Sequence, residues 1–322
     1  MKNPISILCV GQLVADIVVR PVDALPVAGR TDLVTDLELL AGGCAANTAS
    51  VLAKFGVPVA LLAVIGRDAL GDAALADLAA VGVQTDMVVR EKSPTSAAIV
   101  LASGTGERSF FYRTGGNEQL ANGHIPDAAL AESSLVHVGG AMKLLNLDLA
   151  ELARRAKSFG CRTSLDTDWD VFGSWMQRLQ GALRQIDFLM TNAEEAAMLT
   201  GRQDSRAAAE SLLAQGPEAV LVKRGAGGSM LATRAGVMEF SAFQVEVLDT
   251  TCAGDAAAAG FLLGVSQGLP VEESARLANA AGALCTTQLS HRGIVSLEQT
   301  RRFIATQSPP SAWLNAAGSN GE

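Results

Sequence analysis

The sequence predicts an α/β fold in which a mostly parallel central sheet is covered by helices on both faces and flanked by a small β-sheet flap. Three observations lead there. Short apolar runs alternate with longer alanine-rich segments of helical period. Two β-like segments break that rhythm with no helix promptly behind them. Finally, 322 residues, 49% of them hydrophobic, can bury a large core without a disulfide or structural metal.

Along the chain, the run from Ile5 to Val10, ending at Gly11, reads as a first strand; it is too short for the hydrophobic region of a secretory signal. Asp32 to Leu40 mixes polar and apolar residues and reads as one half of an antiparallel flap. Gly42 and Gly43 then turn the chain into a helix from Thr48 to Phe55. Val59 to Ile65 is the next strand, followed by a helix from Ala69 to Val81. Ala97 to Tyr112 supplies the other half of the flap. The alternation resumes with strands at Leu135 to Val138, Thr163 to Leu165, Phe188 to Met190 and Ala219 to Val222. Helices fall at Leu147 to Phe159 and Ala207 to Ala214, and a last alanine-rich helix follows Asp255. Repeated strand–helix alternation implies right-handed crossovers and a sheet whose ligands sit beyond the carboxyl ends of its strands.

Composition excludes several classes of function. A formal net charge of −8 with dispersed Lys and Arg does not suit nucleic acid or anionic membrane. The five cysteines, Cys9, Cys44, Cys161, Cys252 and Cys285, are odd in number and lack CxxC spacing, which fits a reducing cytoplasm better than a disulfide framework or zinc site. The longest apolar and small stretch, Ala256 to Val265, is well short of the roughly 18 residues of a membrane span.

The strongest chemical signal is Asp249-Thr250-Thr251-Cys252-Ala253-Gly254-Asp255, which leads directly into a helix. Small side chains let an anion approach the unpaired N–H groups of a first helical turn, where the helix dipole also favours negative charge. An aspartate inside such a cradle would repel the ligand unless it had a task, and accepting a proton from an attacking hydroxyl is one. The alternative is an ordinary helix cap. A second signal, Gly42-Gly43-Cys44-Ala45-Ala46-Asn47, allows close backbone approach and offers an amide suited to vicinal hydroxyls, or simply forms a tight turn.

Together these motifs, about 200 residues apart and in order, resemble the paired signatures of the PfkB, or ribokinase-like, carbohydrate kinase family, and the resemblance runs from Val10-Gly11 to about Leu297. It implies a three-layer ribokinase-like domain over residues 1–307, with lid segments at about 13–41 and 96–115; the tail at 308–322, with Ser308-Pro309-Pro310-Ser311 and then Gly318 and Gly321, reads as disordered from its own residues. The resemblance also implies transfer of the γ-phosphate of ATP to a sugar hydroxyl with Mg²⁺ present. Asp255 would be the base, and the backbone of Cys252, Ala253 and Gly254 with that of Asp255 the anion hole. Asp16, Gly42, Gly43 and Asn47 would hold the sugar, with Arg113 and Asn117 selecting among substrates. Asn192, Lys223, Gly225, Gly228 and Asn279 would lie by the nucleotide, and Glu195, of an NxxE element, would organise Mg²⁺ through water. Asp249, Thr251 and the loop around Gly293 match the place where relatives hold a monovalent cation such as K⁺. A nucleoside kinase of the same superfamily would share every catalytic residue; a silent sensor of sugar or nucleotide is the other alternative, and the retained Asp255 and Gly254 speak against it. The lid's open edge suggests a homodimer. The chain has no GxxxxGK[ST] sequence, and Met230 breaks any GxGxxG, so neither a P-loop nor a dinucleotide fold is expected. Cys252 replaces a glycine usual in the family, which questions any need for positive φ there. Cys44 and Cys252 are candidates for thiol modification, and Trp169 either stacks on a sugar or packs in the core.

Overall fold

A computed structural model describes residues 6–104, 108–289, 294 and 296–307. The expectations for Gly293 and for the 308–322 tail lie outside the described residues.

The main sheet contains β1 (Ile7–Gly11), β4 (Val59–Leu62), β9 (Leu135–Gly139), β10 (Arg162–Asp166), β11 (Phe188–Asn192), β12 (Ala219–Lys223), β13 (Ser229–Thr233) and β14 (Gly236–Phe240), in the order β14-β13-β12-β11-β10-β9-β1-β4. The pairs from β4 through β12 are parallel, whereas β12, β13 and β14 meander antiparallel. That meander was not anticipated from the sequence.

Alternation along each strand sends side chains to two separate cores. On one face Ile7, Cys9, Leu61, Phe188 and Leu221 pack with α1 (Cys44–Lys54), α9 (Ala253–Ser266) and α10 (Val271–Cys285). On the other, Leu8, Val10, Val136, Val138 and Leu189 pack with α5 (Leu149–Ser158), α7 (Ala193–Thr200) and α8 (Ser205–Leu213). Helix, sheet and helix are therefore the three layers. Among the remaining helices, α2 (Ala69–Ala80) and α11 (Leu297–Thr306) lie with the first group; α3 (Gly116–Gln119), α4 (Asp127–Ala131) and α6 (Trp175–Leu179) are short.

The lid is a second sheet of β2 (Val14–Arg20), β3 (Asp36–Gly42), β7 (Ala97–Ala102) and β8 (Arg108–Arg113), in the order β3-β2-β7-β8. It is not wholly antiparallel as expected, because β2, at its centre, runs parallel to β7. β3 starts at Asp36 rather than Asp32; Pro21 and Pro26, which cannot donate to a ladder, lie in the non-strand segment before it. The strand expected over Val59 to Ile65 is two. After β4, Ala63 breaks the ladder, and β5 (Val64–Gly66) pairs with β6 (Val89–Glu91) in a separate sheet. Helix α1 begins at Cys44, four residues earlier than the sequence suggested. Only Gln12 and Leu13 separate the core strand β1 from the lid strand β2.

Candidate active site

The carboxyl ends of the parallel strands form one rim, where register aligns Gly11 with Gly139 and Gly139 with Asp166, and Asn192 with Lys223. Asp255 stands over this rim in the first turn of α9. Its Oδ2 accepts a 2.8 Å hydrogen bond from Asn47 Nδ2, and its carboxylate also receives the Cys44 thiol. Burial pushes the Asp255 carboxyl up to about 6, against the opposing effect of Asn47, Lys223 and Cys44. The other amide atom of Asn47, Oδ1, is buried with no hydrogen-bond partner. A buried orphan acceptor is costly unless a ligand's donor meets it.

Asp16 lies beside this group, and burial, together with the facing Asp255, pushes its carboxyl up to about 7. Two glycines make room for it. A Cβ at Gly42 would sit 1.9 Å from Asp16 Oδ2, and Gly43, at φ 92, would put one 2.7 Å from the Gln12 carbonyl. Lid register continues this surface, since Asp16 pairs with Ala98 and Ala98 with Tyr112 on one face.

Arg113 therefore falls on the opposite face. It donates to Thr95 O at 2.8 Å and does not line the acceptor pocket expected of it; Tyr112 takes that place. Asn117 is buried and engaged at both amide atoms: its Oδ1 accepts from Leu13 N at 3.1 Å and its Nδ2 donates to the Tyr112 hydroxyl at 3.1 Å. It positions the pocket wall rather than presenting a free amide. Asp168, Lys143 and Gln12 complete that wall, unassigned from the sequence. Asp168 Oδ2 accepts from Lys143 Nζ and, at 2.7 Å, from Gln12 Nε2, and Oδ1 accepts from Met142 N at 2.9 Å. Trp169, half exposed, meets Trp175 edge-on with centroids 5.1 Å apart.

On the other side of Asp255, Lys223 is at the rim, bonded to both oxygens of Asp166 at 2.8 and 2.7 Å and 3.4 Å from Gly254 O. Burial opposes its charge, but the carboxylates of Asp166 and Glu195 outweigh it and hold the ammonium protonated. The Lys223 ammonium thus lies between Asp166 and the first turn of α9, and the chain after it makes the glycine turn Gly225–Gly227. Gly228 closes that turn, where a Cβ would lie 1.9 Å from Phe240 O. Asn192 caps α7 by accepting from Glu195 N at 2.8 Å, and Glu195 Oε2 accepts from Thr167 at 2.7 Å and from Asn192 N at 3.2 Å. Asn279 ties α10 to the end of β14 through Phe240 O and Ser241 O.

Cys252 has φ 62 and ψ 1, so this non-glycine residue does adopt the left-handed backbone that its identity had put in question. The turn directs the chain so that the N–H groups of Ala253, Gly254 and Asp255 open a helix. A Cβ on Gly254 would make only ordinary contact, 3.4 Å from Lys223 Nζ, so the fold itself does not require glycine there. Cys44 does not have the character of a reactive thiolate: burial and the facing carboxylates of Asp255, Asp168 and Asp166 hold the thiol protonated. At Asp249 and Thr251, where a monovalent cation was expected, the guanidinium of Arg108 stands, 3.6 Å from Asp249 Oδ1.

Among the described residues no group of three or more His, Cys, Asp and Glu is placed to hold a metal by its own side chains. The hard carboxylate oxygens of Glu195, with Asp166 nearby, fit a magnesium ion that keeps most of its shell as water and phosphate oxygen.

A profile of the pfkB family carbohydrate kinases matches residues 5–296. An uncharacterized sugar kinase of Archaeoglobus fulgidus is 28% identical over 241 residues, covering 75% of this chain and 96% of the relative. The ATP-dependent ribose-1-phosphate kinase of Halopiger xanaduensis is 28% identical over 307 residues, covering 94% and 98%. Among solved structures, ribokinase of Arabidopsis thaliana complexed with ribose and ATP superposes with a TM-score of 0.81 at 25% identity, covering 95% of this chain and 100% of the other.

Proposed function

The chain belongs to the pfkB family of carbohydrate kinases, and on that premise we propose that it transfers the γ-phosphate of ATP to a hydroxyl of an uncharged polyol, with Asp255 as general base. The observation that carries this reading is the cluster of hydrogen-bond acceptors at the lid side of α9. Asn47 Oδ1 has no partner, and the Asp16 and Asp255 carboxylates lie together. Acceptors call for donors, and sugar hydroxyls supply them; a carboxylate or phosphate on the acceptor would meet like charge.

Asp255 takes the proton of the attacking hydroxyl, which Asn47 and Asp16 orient. The N–H groups of Gly254 and Asp255, at the positive end of α9, would receive the transferring phosphoryl, with Lys223 adding charge beside it; the Ala253 N–H already donates to Thr250 O at 3.3 Å and so serves the turn. Bound magnesium would neutralise phosphate charge; Glu195 would hold it through water, with Asn192, Gly225 and Gly228 near the nucleotide and Asn279 bracing the helix beside it. The lid excludes water. The lid's outer face, a row of Leu39, Ile17, Ile99 and Phe111 in register, supports a homodimer. The free cysteines support a cytoplasmic setting.

The test is ATP consumption against a panel of neutral sugars, sugar acids, sugar phosphates and nucleosides, with Mg²⁺ and with or without K⁺. Turnover with a neutral sugar, lowered about 10² to 10⁴-fold in Asp255→Asn, is expected. A preference for nucleosides would move the reading to a nucleoside kinase. Equal turnover in Asp255→Asn would remove the base assignment.

A further inference from the structure

The lid brings to the cleft a positive charge that the chemistry above does not use. Alternate side chains of β8 point the same way, so Arg108 and Phe110 share the site-facing side with Tyr112. Arg108 Nη1 donates to Thr251 Oγ1, and Nη2 donates to Thr250 Oγ1 at 2.7 Å. Nη1 also lies 3.6 Å from Asp249 Oδ1, and both side chains are well sheltered, at 18% and 13% exposed. Asp249 Oδ1 in turn accepts from the Thr251 N–H at 2.8 Å and from the Thr251 hydroxyl. One planar guanidinium therefore grips three consecutive residues. The next residue is Cys252, whose left-handed backbone opens the turn that Ala253 N–H closes on Thr250 O at 3.3 Å and from which the N–H groups of Gly254 and Asp255 follow. Beside the grip lies a cavity of about 880 Å³ lined by Arg108, Thr250 and Phe110.

We infer that Arg108 is a positioning residue for phosphoryl transfer: carried on the lid, it holds Asp249, Thr250 and Thr251, and the anion hole is fully formed only when the lid is down. This rests on the kinase reading for its catalytic consequence, but its structural consequence stands apart. A guanidinium at Asp249 also supplies the positive charge that a monovalent cation would otherwise bring to this loop.

The experiment uses the full chain and its Arg108→Ala and Arg108→Lys variants, with hydrogen exchange read by mass spectrometry and steady-state kinetics on the best acceptor. In Arg108→Ala the amides of residues 250–256 should exchange at least about tenfold faster, with those of β10 to β12 unchanged. The kcat should fall about 10 to 100-fold, with KM for acceptor and ATP within about twofold, and methylguanidinium or K⁺ should restore part of the loss. Arg108→Lys should fall between, and it decides the matter if Arg108→Ala does not fold. Unchanged exchange at 250–256 would overturn the inference. So would a loss confined to KM, which would make Arg108 a substrate contact. If no acceptor supports turnover in the wild type, the kinase reading fails while the exchange measurement still decides the role of Arg108.

Discussion

Asp255 is a partly buried acid whose charged form is disfavoured by desolvation. Its folded value of about 6 lies above the ordinary 3.8, so between those two pH values the folded protein holds a proton that the unfolded chain releases. Stability therefore falls as pH rises through that window, and the full cost applies above it. Asp255→Asn should melt higher than the wild type at pH 8, by the equivalent of on the order of 1–3 kcal/mol, with the gap closing at pH 4; calorimetry at the two pH values checks this. Turnover should fall as pH drops below about 6, because the base must be unprotonated, with Asp16 contributing nearer 7. Gly254→Ala separates ligand from fold: helical alanine should leave the melting temperature unchanged or higher, while kcat drops by about tenfold or more as the methyl enters the phosphate path. At this scale the motif residues were legible because each has an unusual neighbour, an acid among small residues or paired glycines before an amide. Tyr112, Lys143 and Gln12 were not. They reach the pocket through the register of β8 and the segments just after β9 and β1, which no local spacing announces.

Helices α9 and α10 show how an element sets the site. A Cβ at Gly260 would lie 2.6 Å from Leu277 O, and one at Gly264 would lie 2.4 Å from Ser274 Oγ, so the two helices touch almost backbone to backbone. Gly260→Val should push α9 off α10, cost about 1–3 kcal/mol, and displace the first turn that carries Asp255. Thermal melting and kcat should then fall together, unlike in Gly254→Ala. The buried parallel strands were readable as uninterrupted apolar runs such as Ala219 to Val222. β13 and β14 were not singled out, because Ser229–Thr233 and Gly236–Phe240 are short and follow a glycine turn that drew attention as a ligand loop. The parallel pairing of β2 with β7 joins segments about 80 residues apart, and a sequence does not state which partner a strand takes.

For the whole molecule, the lid has two faces with opposite duties. Asp16, Ala98 and Tyr112 face the cleft, whereas Leu37, Leu39, Ile99 and Phe111 are 65%, 40%, 42% and 59% exposed on the other side. Contiguous exposed apolar surface of this kind marks an interaction site, and a sheet face in register with itself suits a second copy. The wild type should sediment as a dimer, and Leu39→Asp with Phe111→Asp as a monomer with its melting temperature little changed. A monomeric wild type would remove the proposal.

The Trp169–Trp175 edge contact gives the protein a built-in optical reporter. The sequence holds three tryptophans, and the third, Trp313, lies outside the described residues. Trp169 follows Asp168 directly, at the wall of the acceptor pocket, and its ring is half in water. A bound acceptor that displaces this water should shift the indole emission to shorter wavelength, so titrating sugars in a fluorimeter would rank them without a coupled assay and before any phosphate moves.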